Sequence, residues 1–150
     1  MIRLSRKTML ALEAVLDVAY NARPDPVQSK DITSRQGIPQ RYLEHVMQQF
    51  VHHGILKGVR GPKGGYTLAR ERRRITVGDV VRVVDAMDEA SDSEPLSAAP
   101  LGEKIIHPLW TETRDAVLER LDGIKIEDLC TRARMLGIRH GTKASTYFSI

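Results

Sequence analysis

The sequence predicts a mainly α fold with one small β-hairpin, a winged helix-turn-helix extended by a long dimerisation helix. Three observations predict it. Apolar residues recur at helical spacing on both sides of residues 55–69, a glycine-rich tip separates two short strand-like runs there, and a heptad-like apolar stripe follows residue 105. A chain of 150 residues can bury a core without help from a disulfide or a metal.

Ser5 is placed to cap a first helix with Met9, Leu12, Leu16 and Ala19 as its apolar stripe. This basic-then-apolar opening superficially resembles a signal peptide, but Glu13 and Asp17 interrupt it and no small-residue cleavage site follows. The pattern stops at the two-proline turn Arg23-Pro24-Asp25-Pro26. Ser29 is expected to cap a short second helix that reaches about Gln36 and ends on Gly37. Pro39 suits the first position of a third helix, closed by Gly54 after His53. Ile55 to Val59 and Tyr66 to Ala69 read as strands around the loop Arg60-Gly61-Pro62-Lys63-Gly64-Gly65.

Thr76 and Asp79 then form a capping-box-like pair. They open a fourth helix with Val77, Val80, Val81, Val84 and Met87 on one face, although the valine run also suits a strand. Residues 1–88 therefore form one domain. Residues 89–104, rich in Ser, Pro, Ala and acids and without periodicity, read as a connector. Residues 105–136 supply two more helices. In the first, Ile106, Leu109, Trp110, Thr113, Val117 and Leu121 recur at roughly heptad spacing, as in a dimer seam, until Gly123 breaks it. The second runs from about Ile126 to Leu136. Residues 137–150 are weakly patterned and expected to be mobile.

Charge is unevenly placed. Residues 1–82 carry 15 Lys and Arg against 7 Asp and Glu, net +8, and residues 83–150 carry 8 against 12, net −4. A basic front half suits a polyanion; ordinary solvated surface is the competing reading. The single cysteine, Cys130, excludes an internal disulfide and fits a reducing cytoplasm, and no apolar run is long enough to span a membrane.

The third helix bears on function. At about 100° per residue, Gln40, Arg41, Glu44, His45, Gln48, Gln49 and His52 share half its circumference, and Tyr42, Leu43, Val46, Met47 and Phe50 share the other. One half packs and the other presents donors and acceptors. Arg41 is suited to guanine, Glu44 to the cytosine amino group, and Gln40 or Gln48 to adenine. An ordinary amphipathic surface helix is the plainer alternative. The loop tips the balance, because its glycines allow close approach to a sugar-phosphate backbone. Arg60 suits a narrow minor groove and Lys63 a phosphate. A nucleotide-phosphate loop is disfavoured, since no Gly-Lys-Ser/Thr follows and the loop joins strand to strand.

Four segments carry a family resemblance. They are Lys30-Asp31-Ile32, Gln40-Arg41-Tyr42-Leu43-Glu44, the wing from Val59 to Ala69, and Ile75-Thr76-Val77-Gly78-Asp79-Val80. Over roughly residues 1–136 the chain resembles the Rrf2 family of bacterial transcription regulators. The resemblance implies a homodimer held by a long helix from about Ile105 to Asp122, with DNA contacts at Gln40, Arg41, Tyr42, Glu44 and Arg60. Together with the residue reading, the expected DNA-contacting set is Ser5, Arg6, Ser29, Lys30, Pro39, Gln40, Arg41, Tyr42, Glu44, Gln48, Arg60, Gly61, Lys63 and Gly64. The expected partner is palindromic double-stranded DNA and the expected action repression, with a small molecule, a protein or no effector at all as the alternatives for the signal.

One departure bears on cofactors. Many members of that family carry three cysteines before the dimerisation helix, where they bind an iron–sulfur cluster. Here Ala90 to Lys104 holds none, and Lys104 stands in the place of the last cysteine, three residues before His107. An ammonium is no ligand, so no cofactor and no metal are expected. The alternatives kept open are a winged-helix adaptor for protein contacts and a non-standard metal or redox sensor using His107 and Cys130. Cys130, among Leu129, Ala133 and Leu136, reads first as a half-buried small hydrophobe. His45, His52 and His53 read as solvent- or phosphate-facing, Asp92, Glu94 and Glu103 as solvated acids rather than metal ligands, and Tyr20 and Trp110 as packing anchors. No nucleophile–base pair or metal triad appears at a spacing that would make an enzyme.

Overall fold

The computed structural model describes residues 5–22, 25–91 and 98–141, with 89–91 by backbone alone. Six α-helices and one hairpin follow in order: α1 Arg6–Asn21, α2 Ser29–Gln36, α3 Gln40–His52, β1 Leu56–Val59, β2 Gly65–Leu68, α4 Val77–Ser91, α5 His107–Asp122 and α6 Ile126–Met135. The winged helix-turn-helix order is the observed one. β1 and β2 pair antiparallel with Leu56 opposite Leu68 and Val59 opposite Gly65. A single 3₁₀ turn, Arg72–Arg74, leads from the wing to α4.

The core is made where α1, α3 and α4 meet. Val15 and Val18 of α1, Leu43, Val46, Met47 and Phe50 of α3, and Val80 and Val84 of α4 are all buried together with Ile32, Ile55, Ile75 and Ile126. Thr76 and Asp79 cap α4 reciprocally, each side chain accepting from the other's backbone N–H at 3.0 Å. That bonding offsets the low helix propensity of the valines behind it.

Several expectations need correction. The packed face of α1 is Ala11, Ala14, Val15 and Val18; Met9 is 46% exposed, and Leu12 and Leu16 sit at the margin. Small residues let α1 lie close to its neighbours, so the larger ones are displaced to the flank. Ser29 is the first residue of α2, with Gln28 in the capping position, and Pro39 likewise lies one residue outside α3. The strands begin one residue late and one early relative to expectation.

The connector is shorter than its composition suggests. α4 continues to Ser91, and Gly102–Ile106 is a π-helical stretch running directly into α5. Pro108 falls in the first turn of α5, where its missing N–H costs least. Residues 137–141 are also more ordered in contact than expected. Tyr20 donates its hydroxyl to the Ile138 carbonyl, the His140 ring stacks on Tyr20 at 4.1 Å, and the Gly141 N–H donates to Asn21 Oδ1 at 2.7 Å. The expected mobility of the rest of the tail, 142–150, falls outside the described residues, as do Asp92 and Glu94.

Two tertiary links were invisible to periodicity. Asp17, read only as a break in an apolar run, is 3% exposed. It accepts from Arg35 Nε at 2.9 Å and Nη2 at 2.8 Å, and from Gln36 Nε2 at 2.8 Å. This paired carboxylate fixes α2 against α1. Val27 forms a bridge to Tyr66, with N–H···O distances of 2.9 and 2.8 Å, and so ties the segment before α2 to the wing.

Candidate nucleic-acid interface

The reading helix is held from behind by its own apolar half. Leu43, Val46, Met47 and Phe50 are buried, whereas Gln40, Arg41, Glu44, His45 and Gln48 are exposed along the opposite side. The division is the one the helical angles predict. Gly37, at φ 67°, closes α2 in the left-handed region and turns the chain into α3 within three residues.

On the exposed face, Thr33 Oγ1 of α2 donates to Gln40 Oε1 at 2.8 Å, and Gln40 Nε2 donates to Glu44 Oε1 at 2.9 Å. Arg41, Lys30 and Arg6 are exposed and form no hydrogen bond or ion pair with the described residues, which leaves their charges available to an outside partner.

Three of the expected contact residues are otherwise engaged. Tyr42 donates its hydroxyl to the Lys7 carbonyl at 2.7 Å, joining α3 to α1. Burial, with Asp88 nearby, pushes its phenol up to about 12. The bond to Lys7 anchors α3 on α1. Ser5 accepts from the Thr8 N–H at 3.2 Å as the α1 cap and is also bonded to the Thr8 hydroxyl. Gly64 is buried; a Cβ there would overlap the Val59 carbonyl oxygen, so this glycine permits the tight hairpin.

The wing tip does stand free. Arg60, Gly61 and Lys63 are exposed, and neither cation is paired among the described residues. Gly61 holds φ 109°, and the Gly64 N–H donates back to its carbonyl at 2.9 Å. From the segment before α2, Gln28 Nε2 reaches the Pro62 carbonyl at 3.4 Å. The tip is thus short, propped on one side, and carries two cations on a nearly side-chain-free backbone.

The apolar stripe of α5 divides in two. Ile106 and Leu109 are each 53% exposed and Trp110 is 42% exposed, beside Leu101 and Ile105. Toward the other end, Thr113 and Val117 are half-buried and Leu121 packs on the chain's own core beside buried Leu118. Leu121, the last residue expected in the dimer seam, is thus partly covered by its own chain. The Arg82–Asp122 pair, bidentate, and the Arg114–Asp85 pair at 3.1 Å fasten α5 to α4.

Cys130 is fully buried rather than half-buried, and Leu136, its expected neighbour in the apolar face, is exposed. Burial pushes the Cys130 thiol up, against the opposing pull of an Arg72 hydrogen bond. Among the described residues no three His, Cys, Asp or Glu side chains gather as a metal would require. No helix among them is long and apolar enough to cross a membrane.

A family model described as Rrf2, iron-dependent transcriptional regulator, matches residues 4–132. The transcriptional regulator IscR of Escherichia coli O1:K1 is 34% identical over 137 residues, covering 91% of this chain and 85% of that protein. Among solved structures, T. potens IscR matches with a TM-score of 0.71 and 32% identity over 93% of both chains. CymR, the global cysteine regulator of B. subtilis, matches with a TM-score of 0.66 and 31% identity over 88% of this chain and 98% of that one. The donors present do not fit an iron–sulfur cluster: residues 90–104 contain no cysteine, and the one thiolate source, Cys130, is enclosed in the core.

Proposed function

Since the chain belongs to the Rrf2 family, and so is a DNA-binding transcription regulator and not an enzyme, we propose that it binds a two-fold symmetric operator as a homodimer and needs no iron–sulfur cluster to do so. One observation carries the reading. The exposed half of α3 and the wing tip together present Gln40, Arg41, Glu44, Gln48, Arg60 and Lys63 with every apolar residue of α3 between Leu43 and Phe50 turned inward. Such a face loses nothing on meeting a hydrated groove, and its bare cations gain by releasing counterions from phosphates.

In this account α3 enters the major groove and Arg60 reaches the adjacent minor groove. Arg41 reads guanine O6 and N7, Glu44 accepts from a base amino group, and Lys30, Lys63 and Arg6 neutralise phosphates. The exposed Ile106, Leu109 and Trp110 supply the seam with a second copy. Two reading helices related by that seam sit about one helical turn apart, roughly 34 Å, which makes the operator palindromic. Repression, by occupying a promoter, is the mode we assign. Since the donor set does not suit a cluster, the signal is a small molecule or a protein.

The test is selection of bound sequences from random duplexes with anaerobically purified protein, before and after chelation and at two salt concentrations. The expected result is one palindromic motif, unaffected by chelation, with affinity falling steeply as salt rises. No enriched motif would overturn the proposal. Iron and sulfide in stoichiometric amount, with affinity that changes on their removal, would overturn its cluster-free part.

A further inference from the structure

The hydrogen-bonded row Thr33–Gln40–Glu44 crosses from α2 to the exposed face of α3, and only its last two members stand where a base is read. Resting on the operator-reading role proposed above, we infer that Thr33 is a positioning residue that sets base preference through Gln40 without touching DNA.

The argument is one of donor and acceptor inventory. A carboxylate only accepts, so the Glu44 oxygen at 2.9 Å must receive an amide hydrogen, and Gln40 turns its nitrogen toward Glu44. Gln40 and Glu44 lie four residues apart, one above the other on the same face, the spacing at which such a bond forms readily. The amide oxygen is then left facing Thr33, whose hydroxyl is the donor at 2.8 Å. Alone, the Gln40–Glu44 bond is exposed and the side chain has several torsions to spend elsewhere. Held at both ends, its amide has one orientation.

That orientation determines what DNA meets. Gln40 keeps one amide hydrogen and one oxygen lone pair, and Glu44 keeps its second oxygen. Gln40 thus presents a donor and an acceptor in fixed order, the pattern that matches adenine N7 and N6, while Glu44 offers an acceptor for an amino group on the neighbouring base pair. Released from Thr33, the Gln40 amide is held only by its exposed bond to Glu44, and a side chain that leaves this bond for another torsion offers the same two atoms to other bases. Thr33 lies on the α2 side of the Gly37 turn, half-buried and seven residues from Gln40, so the reading helix alone does not encode its own pattern.

The experiment compares selected motifs and affinities for wild type, Thr33→Val, Thr33→Ser, Gln40→Ala and the double variant Thr33→Val/Gln40→Ala, each checked for an unchanged thermal midpoint. Val keeps the shape of Thr and removes its donor; Ser keeps the donor. The expected result is a broadened preference at one position per half-site in Thr33→Val, with affinity for the best site within about threefold of wild type. Thr33→Ser restores the preference, and the double variant matches Gln40→Ala. A uniform affinity loss across all sequences in Thr33→Val would show a structural role and overturn the inference. So would a further change of preference when Thr33→Val is added to Gln40→Ala, which would place Thr33 on the DNA itself. A wild type that selects no motif fails the operator-reading role first and is distinguishable from both.

Discussion

α3 and α5 are helices of similar length, 13 and 16 residues, with opposite fates for their apolar side. α3 buries Leu43, Val46, Met47 and Phe50 within its own chain and shows mainly polar groups outside, with Val51 near its end the one large apolar exception among its residues. α5 has one buried residue, Leu118, and leaves Leu109 and Trp110 in solvent, together with Ile106 just before it. On the function proposed above, the first helix reads DNA and the second joins two copies of the chain.

The largest effect expected from that contrast is on folding. Phe50→Ala empties a fully buried site on α3 and should cost about 3–5 kcal/mol in denaturant unfolding. Trp110→Ala should leave the fold of the protomer nearly unchanged, because the ring is already 42% exposed, and should weaken association instead. A Trp110→Ala variant that unfolds as readily as Phe50→Ala would erase the contrast.

At the DNA end, Arg60→Ala should lower operator affinity about tenfold and Lys63→Ala only a few-fold at the same salt. Both cations are exposed at the wing tip, but a guanidinium fits a narrow minor groove and an ammonium acts as a point charge on phosphate. Equal losses in parallel titrations would contradict the placement of Arg60. Glu44→Ala should hardly reduce affinity, since a carboxylate repels phosphates, but it should relax discrimination at one base pair by about 1–3 kcal/mol across a set of operator variants.

The smallest effect is a pH dependence confined to alkaline solution. Tyr42 is raised from 10.0 to about 12 by burial, so the folded state holds this proton more tightly than the unfolded chain does. Its contribution is present in full below pH 10 and is lost as the pH rises through about 12. Tyr42→Phe should flatten that segment of the stability curve and, with the bond to the Lys7 carbonyl gone, cost about 1 kcal/mol at neutral pH.

Legibility in the sequence followed the kind of signal each element carried. The two faces of α3 follow from angle alone, and the Thr76–Asp79 cap from residue type and spacing. α1 misled because Ala11 and Ala14, rather than the larger Met9 and Leu12, face the core; size is a poor guide where helices approach closely. Residues 102–104 misled because a glycine, an acid and a base carry no helical period, yet they belong to the stretch that runs directly into α5. Leu121 fits the heptad stripe, and that stripe gives no sign that its own chain partly covers it. Asp17 and Thr33 are beyond any local pattern. Their partners, Arg35 and Gln40, stand on other helices, and only the fold brings them together.

Sedimentation of two charge variants tests most directly the claim that this chain is half of a DNA-reading dimer. Leu109→Glu places a carboxylate on the uncovered half of α5, and Leu121→Glu places one against the protomer's own core. The account predicts a dimeric wild type, a folded monomer with weakened operator binding for Leu109→Glu, and a destabilised or insoluble protein for Leu121→Glu. A Leu109→Glu protein that sediments as a dimer and binds the operator as wild type does would contradict it.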